Sequence, residues 1–310
     1  MNLLITGING FIGTNLVGSF AGSFRISGID IGIERQEGVT SMYTWDQQEN
    51  WPAVDVIIHL AGKAHDTGNT ARADEYFEVN LGLTRKIFDH FLSSGATTFI
   101  FFSSVKAVTD TVAEAALTED AIAAPATPYG QSKHAAERYI LDRPLPAGKK
   151  VYILRPCMIH GPGNKGNLNL LFTLVSKGIP YPLGAFENRR SFTSIGNLAW
   201  ILRQILEQDI APGIYHIADD EPLPTNTLIH MMAECLGRKE RIWNIPKPWI
   251  RGLARTGDVL HLTLNSERLK KLTESYVVSN DKIKAALGVE KLPITAIDGM
   301  RLTLENLKTD

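Results

Sequence analysis

Only two of the 310 residues are cysteines, Cys157 and Cys235. That is too few for a disulfide framework and favours a reducing compartment. The eight histidines form no close-spaced ligand set with them, so no metal site is expected. No apolar run is long enough to span a bilayer. The opening "MNLLITG" lacks the charged start of a secretory signal, and a cytoplasmic protein is expected. An excess of one charge is also missing: net charge is −1 and pI about 6.7, which leaves no nucleic-acid footprint. Internal repeats and low-complexity tracts are absent. With 44% apolar and 21% charged residues, the composition is that of an ordinary folded protein, long enough for one large domain or two intimate ones.

What is present is an alternation. Apolar, strand-like runs fall at 2–6, 24–29, 54–61, 97–104 and 150–156. Helical patterns begin near Phe11 and cover about 72–92 and 129–141. Short buried strands alternating with helices predict an α/β fold, a doubly wound parallel sheet covered on both faces. After Pro156 the regularity fades. A glycine-rich loop (160–167), a helix (167–178), a loop (179–184), a strand (189–195), a helix (196–208), a strand (213–218) and a helix (225–237) are expected. The basic, Trp-bearing stretch 247–271 has two readings, a membrane-surface helix or one packed on the smaller half. Its glycines and mixed charges favour the second.

"ITGINGFIG" places Gly7, Gly10 and Gly13 directly after the first strand and into the first helix, with Phe11 and Ile12 between them. A side-chain-free turn lets a pyrophosphate approach the helix N-terminus, where free N–H groups and the helix dipole favour anions. Asp30 follows the second strand at the spacing of a ribose-binding acid. Its carboxylate would accept from a ribose hydroxyl and repel a 2′-phosphate, which points to NAD over NADP. The expected division is an NAD-binding Rossmann domain over 1–160 and a smaller domain over 161–310.

"TPYGQSKHAAERY" sets Tyr129 and Lys133 one helical turn apart, just after Pro128. As a surface helix start, Pro128 is a start signal and the pair merely shares a face. As an acid–base pair, Lys133 makes Tyr129 usable. A phenol titrates near ~10, and lowering it by about three units takes roughly 4 kcal/mol. One solvated lysine does not supply that; a partly buried site with a second positive charge can.

Together these motifs resemble the extended short-chain dehydrogenases/reductases, the nucleotide-sugar epimerase/dehydratase group, over nearly the whole chain. The resemblance rests on GxxGxxG, "VDVIIHLAG", Val79–Asn80, "FFSS", the YxxxK pair and "LRPCMIHGPG". It implies that the backbone at Leu60 and Ala61, the side chain of Asn80, and Pro156 line the cofactor, and that Asp46 contacts the adenine. It implies that Lys133 holds the nicotinamide ribose and, with the cation of NAD⁺, lowers the pKa of Tyr129. Ser104, rather than its neighbour Ser103, would hold the sugar hydroxyl and relay its proton to Tyr129. Dehydratases of this group carry an Asp–Glu pair next in the chain; here Val105 and Lys106 stand there, so 4,6-dehydration is not expected. C4 chemistry remains, either epimerisation or reduction of a 4-keto sugar.

For the substrate, the resemblance implies Asn167, Leu168 and Arg190 at a diphosphate, Arg268 as a second cation, and Leu183 of "YPLG" against the base, uracil. It also implies that 189–218 returns to the first domain and that 161–310 is the substrate domain. A UDP-sugar and a homodimer paired through the helices near 72–92 and 129–141 follow in the same way. Two positions depart from the pattern: Met158 where asparagine is usual and Asn197 where aspartate is usual. A non-catalytic dinucleotide sensor or scaffold is the alternative of another class; such proteins lose the tyrosine or the lysine, and this chain keeps both.

Overall fold

A computed structural model describes residues 1–64, 72–113, 115–164, 166–260 and 265–309. Two of the eight histidines, His65 and His261, lie outside the described residues. Seven parallel strands form the main sheet: β1 (Asn2–Thr6), β2 (Arg25–Asp30), β3 (Val39–Thr44), β4 (Val56–His59), β5 (Thr98–Phe102), β6 (Lys150–Pro156) and, much later in the chain, β10 (Gly213–Ile217). Their spatial order is β10-β6-β5-β4-β1-β2-β3. The order reverses at β1, the topological switch point where open α/β sheets place ligands at the strands' carboxyl ends. The central strands are buried on both faces, which is why β1, β4 and β5 read as near-continuous apolar runs. β3 was not among the expected strands. It is an edge strand with only Val39 buried, so its β-branched and aromatic residues carry no apolar run.

Helices cover both faces. On one, α1 (Phe11–Phe20) and α6 (Ile195–Glu207) bury Leu16, Val17, Phe20, Leu198, Ile201 and Leu202 against the sheet. On the other, α3 (Leu83–Ser93) and α4 (Pro128–Leu141) bury Ile87, Phe88, Phe91, Ala136 and Ile140. The expected continuous helix over 72–92 is α2 (Ala73–Tyr76) running into α3 through a π-turn, Phe77–Gly82, that contains Asn80. π-turns break the regular helical ladder and occur often at functional sites.

The remaining segments build a second core. Strands β7 (Met158–His160) and β9 (Phe192–Ser194) pair in parallel, and β8 (Arg189–Arg190) pairs with β11 (Leu223–Pro224). The single strand expected over 189–195 is thus two short strands in different small sheets. Helices α5 (Asn167–Ser176), α7 (Thr225–Cys235) and α11 (Ala296–Thr309) share a core of Phe172, Leu228, Met232, Met300 and Leu304. The stretch 247–271 supplies α8 (Lys247–Leu260) and most of α9 (Ser266–Thr273); α10 (Asp281–Leu287) returns to the main sheet through Ile283 and Leu287. Among the described residues, no helix is long and apolar enough to cross a membrane.

Candidate active site

The glycine loop is a shaped anion cradle. Gly7 has φ +69°, and a Cβ there would stand 2.8 Å from the backbone of Ala61, so only glycine lets β1 turn against the end of β4. Gly10 precedes α1 without any side-chain cap, which leaves the helix's first N–H groups, those around Phe11, Ile12 and Gly13, available to a ligand. Asp30 ends β2 and accepts hydrogen bonds from the backbone N–H of Asn9 (2.9 Å) and of Ile31 (2.8 Å). Its carboxylate therefore borders the same loop. Leu60 and Ala61 lie at the end of β4, their N–H groups bonded to the carbonyl and hydroxyl of Thr6. Asp46 follows β3 and accepts from the Thr44 hydroxyl, which lowers its pKa. The residues present fit a dinucleotide.

Ser104 sits just past β5 and opens a short turn, Val105–Ala107, by accepting the N–H of Lys106 (3.2 Å). Thr127 caps α4 through its hydroxyl, and Pro128 starts the helix. This brings Tyr129 beside Ser104, whose hydroxyl acts to lower the pKa of the phenol. Gly130 presses the helix onto the Ser104 turn: a Cβ there would lie 2.3 Å from the Lys106 carbonyl. Lys133, buried at 5% exposure, donates to the Phe102 carbonyl (2.9 Å) at the end of β5. Asn80, fully buried in the π-turn, accepts the Lys63 N–H (2.7 Å) and donates to Ser132 (2.9 Å), one residue before Lys133. Pro156 ends β6. Serine, phenol, ammonium and asparagine thus converge at the carboxyl end of β5.

Ser103 does not compete with Ser104. Its hydroxyl is held by Glu137, whose carboxylate also takes both Nε (2.8 Å) and a terminal nitrogen (2.7 Å) of Arg155. This buried bidentate pair, with 1% and 6% side-chain exposure, fixes α4 to β6 and lies four residues from Lys133.

Burial pushes Tyr129 upward, the Ser104 hydroxyl opposes this, and the nearby Tyr76 adds to the rise. Burial pulls Lys133 itself down to about 8, with Glu137 opposing. Its ammonium is directed to the Phe102 carbonyl.

On the substrate side, Asn167 and Leu168 open α5; Asn167 is exposed and Leu168 is buried. Leu183 is buried with Ile250, Ala254 and Leu269, so its side chain is spent on that core. Arg190 donates to the Lys271 carbonyl, and its buried Nε has no hydrogen-bond partner among the described residues. Arg268 opens α9, its N–H capped by Asn265 (2.8 Å). Met158 is exposed on β7. Asn197 is fully buried and donates to Asp219 (2.7 Å) and the Ile294 carbonyl (2.8 Å) while accepting the Ile294 N–H (3.1 Å). An aspartate could not donate those bonds, which accounts for the departure.

Lys106 and Tyr276 were not expected at this site. The Lys106 ammonium donates to the Asp110 carbonyl (2.9 Å) and stands 4.1 Å from the centre of the Tyr276 ring. Burial depresses the pKa of Lys106 and of Arg190, and Arg190 lowers Lys106 further. The two cations are incompletely neutralised neighbours, separated by 84 sequence positions, which hid the pairing from a linear reading. Among the described residues, no group of three His, Cys, Asp or Glu side chains is placed to hold a metal ion.

Comparison with known proteins agrees with this geometry. Residues 3–218 match the model of the NAD dependent epimerase/dehydratase family. The UDP-glucose 4-epimerase of Vibrio cholerae is 29% identical, over 98% of this chain and 94% of its own length. The GDP-6-deoxy-D-mannose reductase of Pseudomonas aeruginosa is 25% identical over 75% and 79%. The fold is shared with the UDP-glucose 4-epimerase of Thermotoga maritima solved with UDP-glucose, at TM-score 0.77 and 20% identity over 100% of this chain and 99% of that one.

Proposed function

The chain belongs to the NAD-dependent epimerase/dehydratase family, and from that premise we propose that it inverts C4 of a nucleotide-diphosphate sugar, a UDP-hexose or UDP-N-acetylhexosamine. The observation that carries this reading is the convergence of Ser104, Tyr129 and Lys133 at the end of β5, with α4 pressed onto the Ser104 turn, beside a glycine cradle.

Ser104 orients the C4 hydroxyl, and Tyr129 takes its proton and later returns one. NAD, when bound, supplies a reversible hydride acceptor and the extra positive charge that the phenol needs. Gly7, Gly10, Phe11, Ile12 and Gly13 would hold its pyrophosphate, Asp30 its adenosine ribose, and Asp46 its adenine. Lys133 serves the nicotinamide ribose. Leu60, Ala61, Asn80 and Pro156 complete the wall. Asp30 favours NAD over NADP by repelling a 2′-phosphate. Lys106 and Arg190 support the diphosphate reading, because burial depresses both cations and an anion beside them would offset that cost; Asn167, Leu168, Leu183 and Arg268 complete that pocket. The segment 1–160 with 189–218 is assigned to the cofactor and 161–310 to the substrate. We further infer a cytoplasmic homodimer.

The second reading is reduction of a 4-keto-6-deoxy sugar nucleotide, favoured by the similarity to a sugar-nucleotide reductase. It uses the same Ser104, Tyr129 and Lys133. One experiment separates them: NAD⁺ with a panel of UDP-hexoses and UDP-N-acetylhexosamines followed by NMR, and NADH with UDP-4-keto-6-deoxy sugars followed by absorbance. Epimer formation without net NADH is expected. Stoichiometric NADH loss supports the reductase, and no turnover in either arm returns the protein to the sensor or scaffold class.

A further inference from the structure

Helix α8 has three distinct faces. Ile250 and Ala254, 3% and 1% exposed, dock it on Leu183 and Leu269. Trp249, Leu253 and Leu260 are instead 73%, 58% and 61% exposed. At 100° per residue they fall within about 40° of one another, a continuous apolar stripe along the helix. The third face carries Lys247, Arg251 and Arg255, which with Lys270 of α9 line a cleft beside Phe186 and Glu187. Packing on the smaller half thus uses one of the helix's two apolar faces.

An exposed stripe of this kind marks a partner. We propose that α8 seats the protein on an anionic phospholipid surface, lying in the interface without crossing it. Trp and Leu on one face with Lys and Arg on another is the pattern of an interfacial helix. The segment 247–271 holds six cations (Lys247, Arg251, Arg255, Arg268, Lys270, Lys271) against two acids (Asp258, Glu267), in a chain whose net charge is −1. A helix is about 10–12 Å across, so cations on its far side stay within roughly a Debye length of a surface touching the stripe. A second copy seated on the stripe is disfavoured by the same charges, because a two-fold interface brings identical patches face to face.

The full chain is sedimented with mixed phosphatidylcholine–phosphatidylglycerol vesicles and, separately, with pure phosphatidylcholine vesicles. Binding to the mixed vesicles, weakened by salt, is expected. The double variant Trp249→Ser, Leu253→Ser should bind about tenfold or more weakly, and Arg251→Glu, Arg255→Glu should also weaken binding. Both variants should retain the wild-type melting midpoint, because the side chains changed are exposed. No sedimentation with mixed vesicles, equal binding by wild type and the double variant, or equal binding to both vesicle types would overturn the proposal. So would a dimer that the double variant dissociates, since the stripe would then belong to a second copy.

Discussion

Lys133 is placed against its own solvation. In unfolded chains its ammonium titrates near ~10.4; in the fold, burial holds it at about 8. The folded pKa lies below the unfolded one, so the buried charge destabilises the protein at neutral pH, by roughly 3 kcal/mol at most. The penalty is full below about pH 8 and fades towards pH 10, as the native state sheds a proton that the unfolded state keeps. Lys133→Met should therefore raise the melting midpoint at pH 7, by about 1–3 kcal/mol of stability, with the gain shrinking towards pH 10, while abolishing turnover and weakening NAD. A lower midpoint at pH 7 would contradict this. Tyr129→Phe should cost about 10²–10⁴ in rate with NAD affinity retained; near-normal turnover would remove the phenol from the chemistry. Asp30→Ala, titrated calorimetrically with NAD and NADP, should weaken the first and narrow the gap to the second. These residues could be read from the sequence because each lies in a short contiguous motif. Glu137 with Arg155, 18 positions apart, and Ser103, 34 from Glu137, could not, since only the fold brings them together.

At the level of elements, the Ser104–Tyr129 alignment depends on how closely α4 sits on the turn after β5. Gly130 sets that approach. Gly130→Ala must displace either the helix or the Lys106 carbonyl, 2.3 Å from the added carbon. It should cost about 1–3 kcal/mol of stability and up to about 10²-fold in kcat through misalignment, with little change in NAD affinity because the glycine cradle is untouched. Denaturant titration and steady-state kinetics check both, and an unchanged kcat would show that the turn tolerates the shift. The period of apolar residues revealed α4 and most of the sheet. It hid β3, an edge strand without an apolar face, and the π-turn, which inserts its extra residue into a pattern that still scans as helical. The glycines and mixed charges of 247–271 gave α8 as a packed helix, and Ile250 and Ala254 do pack against Leu183 and Leu269.

At the scale of the whole molecule, α3 and α4 run side by side, joined at the surface by Tyr139 and Asp89 (2.7 Å), with Leu141 and Leu145 50% and 40% exposed nearby. This is the surface expected to pair two copies, and light scattering should give about twice the 34.2 kDa chain mass; a monomer at all working concentrations would refute it. The parallel plan of the sheet was legible from strand–helix alternation, whereas the second core was not, because its short strands pair across distant segments. The position of β10 also sets a timetable. β6 ends at Pro156, but the strand that covers its free edge, β10, begins only at Gly213. During synthesis at ~5–20 residues per second, that interval leaves β6 uncovered for about 3–12 s. For those seconds each nascent chain displays an unpaired row of N–H and C=O groups, open to the wrong strand. The finished enzyme has no such weakness there, so losses through this edge fall on chains still being made.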